Sequence, residues 1–179
     1  MGPLDSLEKT LVDVSKGLPK LPKNIKKILA DIAPWAALLG AILSLWSAWA
    51  LWDWAHAVNN LAKWANELNA AFGTGQQVAV NRLTVGVWIA LVVLIIEAVI
   101  MLVAFPSLRK YAKAGWNLMF ILSLINLVYG VVMLFTDYGG VGSLFGALIG
   151  TAIGWYILFQ IREIYITGHK KVETKTEKE

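Results

Sequence analysis

The chain has 179 residues, of which 58% are hydrophobic and 16% charged, with a mean hydropathy of +0.61 and a formal net charge of +4. Soluble domains carry about 45–50% apolar and about a quarter charged residues, so this composition excludes an ordinary water-soluble globule and points to a membrane protein. With no cysteines, disulfides, thiolate metal sites and cysteine nucleophiles are excluded as well.

Residues 1–32 are charged but patterned. Leu4, Leu7, Leu11 and Val14 recur at three- and four-residue steps, the signature of one helical face. Gly17, Pro19 and Pro22 interrupt it, and a second amphipathic stretch follows. There Ile25, Ile28, Leu29 and Ile32 lie on one side, and Lys23, Lys26 and Lys27 on the other. A basic helix of this kind is expected to lie in the headgroup plane; the plainer alternative is packing on its own bundle. No apolar core of a cleavable signal is visible before the first span, which would then act as the targeting signal.

Four uncharged or nearly uncharged segments follow, at 33–52, 83–105, 116–135 and 141–161, each long enough to cross a bilayer as a helix. Pro34 is expected in the first turn of span one, and Pro106 is expected to end span two. Trp35 and Trp52 read as interfacial anchors, in a chain whose nine tryptophans suit aromatic belts. Between spans one and two, residues 53–82 form a polar insert. Trp54, Val58, Leu61, Ala65, Leu68 and Phe72 predict an amphipathic helix there, continuing or folding back from span one. Residues 73–77, GTGQQ, then make a turn. The link 136–140 is short enough to make spans three and four antiparallel neighbours. Residues 162–179 read as a charged, disordered tail.

The expected architecture is therefore an all-α polytopic bundle of four transmembrane helices, with an N-terminal amphipathic helix and an extracytoplasmic helical insert. Lys and Arg number six in residues 1–32, three in the link 106–115 and five in the tail. That is 14 in all, against two, Lys63 and Arg82, in the insert and the last link. By the positive-inside rule both termini and the middle link face the cytoplasm, most simply across a plasma membrane. Lys23, Lys26, Lys27, Arg109, Lys110 and Lys113 would then meet anionic lipid headgroups.

Two features within the spans bear on function. Gly142, Gly146, Gly150 and Gly154 form a glycine zipper along span four, a groove that lipid fills poorly and another helix fills well. Gly40, Ser44 and Ala48 on span one make a matching small stripe, so intramolecular packing is expected; a homo-oligomer contact or a membrane-protein partner is the alternative. Glu97 is the one ionisable residue deep within a span, which by default suggests function. Depth matching from the cytoplasmic ends of the spans puts Ser123, Asn126, Ser44 and Thr151 in the same polar layer. Gly86 and Ala90 share its face, so that face should be the packed one. Glu97 is expected either to act as interhelical glue or to change protonation during transport.

Little else suggests chemistry. Asp53 and His56 are three apart on one helix face, too few ligands for a metal. The two histidines, His56 and His169, fall on opposite sides of the membrane in this topology, which argues against haem. No phosphate loop, hydrolase elbow or zinc-protease motif is present. The expectation is a non-enzymatic protein without cofactor or nucleic-acid partner, a small scaffold or accessory subunit acting by helix association. A proton-coupled transporter or channel using Glu97 is the second reading, and a pore-forming lysis protein the third.

Overall fold

A computed structural model describes residues 3–73, 85–133 and 141–167, with the backbone alone at 3–5, 141–144 and 147. The described chain is all helical. It comprises α1 (Pro3–Lys16), α2 (Lys23–Ala71), α3 (Val85–Arg109), α4 (Lys113–Met133) and α5 (Val141–Thr167). α2, α3 and α4 are long and apolar enough to cross a membrane. The expected turn at 74–77, the link 136–140, Arg82, His169 and the tail from 168 lie outside the described residues.

Helix boundaries depart from the expected ones in three places. First, the basic stretch, span one and residues 53–71 of the insert are one helix of 49 residues, about 74 Å at 1.5 Å per residue. Lys23–Ile32 is thus the opening of α2 and not a separate element lying at an angle to it. The insert continues from span one and does not fold back before Ala71. Pro34, expected in a first turn, stands in the helix interior. Second, Pro106 does not end its helix. α3 runs on to Arg109, because a proline one turn from a C-terminus removes only one ladder bond. Third, Arg162–Thr167 belongs to α5 and not to a disordered tail.

What stops α3 is a left-handed turn. Tyr111 has φ +50°, its N–H donates to the Leu108 carbonyl at 3.0 Å, and the Ala112 N–H donates to the Ser107 carbonyl at 2.9 Å. These are the two bonds of a Schellman cap, with tyrosine where glycine is usual. Gly115 then lets α4 begin against the end of α3. A Cβ at Gly115 would stand 2.7 Å from the Leu108 nitrogen and 2.9 Å from the Ser107 carbonyl carbon, so only glycine fits there.

The chain forms two compact units. The first, Met1–Leu39 with Ile100–Glu179, has Trp116, Tyr165 and Leu108 as its largest fully buried side chains. Trp116 stacks on Phe120 at 5.5 Å and meets Phe159 edge-on at 5.5 Å, and Phe120 approaches Trp155 at 6.4 Å. This aromatic cluster joins α4 to α5, and α1 lies on α5. The second unit, Gly40–Val99, is held by Ala48, Ala55, Val87 and Leu91, flanked by Leu51 and Leu94. Trp52 meets Trp88 edge-on at 5.7 Å beside this cluster.

Candidate functional site

Glu97 lies on α3 beside the buried row Val87, Leu91 and Ala98, and is itself half-buried, as are Gly86 and Ala90. The buried Ser44 hydroxyl on α2 stands 3.5 Å from Glu97 Oε2, the long limit of a hydrogen bond. On the other unit, Ser123 on α4 donates to the Phe120 carbonyl at 2.6 Å and accepts from Trp155 Nε1 on α5 at 2.7 Å. Asn126 Nδ2 donates to Leu122 of its own helix at 3.2 Å, and Thr151 is half-buried on α5. Of the expected polar layer, the structure thus brings together Ser44 with Glu97, and it pairs Ser123 with Trp155.

Gly146, Gly150 and Gly154 are exposed, and a Cβ at any of them would meet nothing within 4 Å. The small stripe of α2 has contacts within its own unit. Ser44 faces Glu97, and Ala48 packs with Ala55, Val87 and Leu91. Gly40 is half-buried on the same helix. The side of Gly142 lies outside the described residues. Phe145, Leu148, Ile149 and Ile153 around the glycines are also exposed.

The polar organisation of the first unit is at the basic end of its helices, and the sequence did not announce it. Pro34 lacks an N–H, so the carbonyl four residues earlier, Ala30, loses its helical partner. The Tyr165 hydroxyl supplies the replacement, donating to the Ala30 carbonyl at 3.0 Å in a buried site. Burial pushes the Tyr165 phenol above its ordinary value, helped by the neighbouring Tyr111 and Asp31. Tyr111, 5.9 Å from the Tyr165 ring, donates its hydroxyl to Asp31 Oδ1. These two contacts offset the cost of its left-handed backbone, about 1 kcal/mol for a side chain with a Cβ.

The same end of α5 fixes the link between α1 and α2. Tyr156 and Gln160 both donate to the Pro19 carbonyl at 2.9 Å, and Gln160 Oε1 accepts from the Leu21 N–H at 3.2 Å. Arg162 pairs with Glu8 of α1 and lies 5.4 Å over the Trp116 ring. Trp116 Nε1 donates to the Leu158 carbonyl at 2.8 Å. Proline at position 34 is the one sequence signal for this network, because it orphans a carbonyl inside a helix.

The cationic residues expected at the headgroups are exposed, save for the half-buried Lys26. Arg109 lies 5.8 Å from the Trp35 ring and 5.7 Å from that of Phe105. Lys23, Lys26 and Lys27 open α2, and Lys110 and Lys113 flank the α3–α4 turn that the Tyr111–Asp31 bond ties to α2. His56 Nδ1 stands 2.9 Å from the Trp52 carbonyl and its ring 4.4 Å from the Trp52 ring. Among the described residues no three His, Asp or Glu side chains group as metal ligands.

No family model matches the chain, and no curated protein or solved structure is significantly similar to it.

Proposed function

We propose that this is an integral membrane protein that works by helix association, as a small scaffold or accessory subunit rather than an enzyme. In this reading residues 141–161 of α5 are a fourth span, and both termini lie in the cytoplasm of a cell with the basic end at the inner face of the plasma membrane. The part of α2 beyond Trp52 then projects on the opposite side. The observation that carries the reading is the open face of α5 at Gly146, Gly150 and Gly154, where nothing stands within 4 Å. In a bilayer, helices associate through van der Waals contact between closely approaching backbones, and a glycine row is where such approach is possible. The partner is another membrane helix, of this chain or of a second protein. Arg109, Lys110 and Lys113 with Lys23, Lys26 and Lys27 hold the basic end at anionic headgroups, each Lys or Arg contributing on the order of 1 kcal/mol near such a surface.

The test is cross-linking and co-purification of the full chain from native membranes, comparing wild type with Gly150→Leu. A cross-linked species that vanishes in the variant is expected. Identical cross-linking in both would remove the glycine face from the account.

A transport role for Glu97 is the second reading, favoured by the half-buried carboxylate and its Ser44 neighbour. It requires Glu97→Gln to abolish a measured flux in a protein that still folds, since glutamine keeps the shape but not the ionisation.

A further inference from the structure

A small cleft opens between the end of α1, the link that follows it, the start of α2, and α5. Its volume is about 100 Å³, and Ser15, Lys16, Lys20, Lys26, Tyr156, Phe159 and Gln160 line it. Three structural elements each bring one lysine to this opening: Lys16 from the last turn of α1, Lys20 from the link and Lys26 from the first turns of α2. Among the described residues no carboxylate lines it.

The convergence is built and not accidental to a mobile loop. Tyr156 and Gln160, one turn apart on α5, hold the Pro19 carbonyl, and Gln160 also holds the Leu21 N–H. Lys20 lies between those two anchored residues, so its backbone is fixed on both sides. Lys16 is partly committed, since its ammonium lies 2.7 Å from Asp13. Among the described residues neither Lys20 nor Lys26 has an acidic partner. The cleft therefore keeps an excess of positive charge beside the α2 N-terminus, the positive end of a helix dipole. Its volume is well below the several hundred cubic ångströms of a cofactor or drug pocket. The chemistry that fits is one compact anion of high charge.

We propose that this cleft binds a single phosphate group, presented by an anionic lipid as a headgroup or taken up as free phosphate. The inference deepens the membrane reading only in its lipid form; the phosphate form does not need a bilayer.

The test uses the full chain purified in detergent, with native mass spectrometry against phosphatidic acid and, separately, phosphatidylcholine. Lys20→Gln and Lys26→Gln are compared with Lys9→Gln, an exposed lysine of α1 outside the cleft. Phosphatidic acid should bind in preference to phosphatidylcholine. Each cleft variant should weaken it about fivefold, and Lys9→Gln should not. A second arm adds inorganic phosphate as competitor. Competition that is lost in the Lys20 and Lys26 variants assigns the site to free phosphate; lysine-dependent lipid binding without competition assigns it to the headgroup. Equal losses in all three variants would show only diffuse attraction to a basic surface and overturn the proposal. Absence of binding by both probes would overturn it as well. Because none of these readouts involves Gly150, failure here and failure of the association reading are separate results.

Discussion

The two units of this protein are held together in different ways. Around Trp116 and Tyr165, ring packing is combined with directed polar contacts: Tyr165 to Ala30, Trp116 to Leu158, Gln160 to Pro19 and Leu21, Arg162 to Glu8. Around Ala48 and Leu91, the described contacts include a small apolar cluster, the Trp52–Trp88 edge contact and a long Ser44–Glu97 approach, while Trp46 and Trp49 are about three-quarters exposed. Lipid tails are as apolar as leucine and can take the place of an apolar contact between helices, but they cannot take the place of a hydrogen bond. The first unit's contacts are the kind that specify one arrangement; the second's are the kind lipid can replace. Substitutions should therefore cost more in the first unit than in the second.

Gly115→Ala is the strongest test of that contrast. The new methyl would meet backbone at the α3–α4 turn, and a cost of about 3 kcal/mol is expected in reversible unfolding from mixed micelles. An unchanged unfolding midpoint would mean that the turn is not the fixed point described.

Tyr165→Phe comes next. It leaves the Ala30 carbonyl buried without a donor, at a cost of about 2 kcal/mol. The same bond predicts a pH dependence. A phenol whose folded pKa is raised stabilises the fold below its unfolded value of about 10, and the contribution is lost as pH rises beyond it. Wild type should lose stability above that pH faster than Tyr165→Phe, as followed by tryptophan fluorescence. Parallel curves would remove Tyr165 as the cause.

In the second unit, Glu97→Leu should cost only about 1 kcal/mol, the usual size of an intramembrane hydrogen bond, and Glu97→Gln less. A loss as large as that of Gly115→Ala would reverse the contrast between the units. Smallest of all, Gly150→Leu should leave the isolated chain within about 0.5 kcal/mol of wild type, because its side chain enters open space. Only association should respond.

The proline positions show where local reading stops. Pro34 reads as a first-turn residue, where a missing donor costs nothing; in the helix interior it orphans the Ala30 carbonyl, and Tyr165, 131 positions away in number, answers it through a contact no local pattern encodes. Pro106 reads as a helix stop by its own preference, yet the stop is made at Tyr111, by a left-handed backbone that two tertiary contacts support. The tryptophans divide similarly. Trp35 and Trp52 keep partly exposed positions near Arg109 and Trp88, while Trp116 and Trp155 bond α4 to α5. Hydropathy sees the same residue type in all four.

Composition and periodicity by themselves determined that this chain is helical and suited to a membrane, because apolar length and 3.6-residue spacing act within a single segment. They also located the basic residues, since charge is read directly from the residue. Which helix meets which was decided only by the tertiary structure. Ser44 met Glu97 and Ser123 met Trp155, while the glycines of α5 met open space. In a bundle of apolar helices many pairings are similar in apolar burial, and the choice falls to a few directed contacts between residues far apart in the chain.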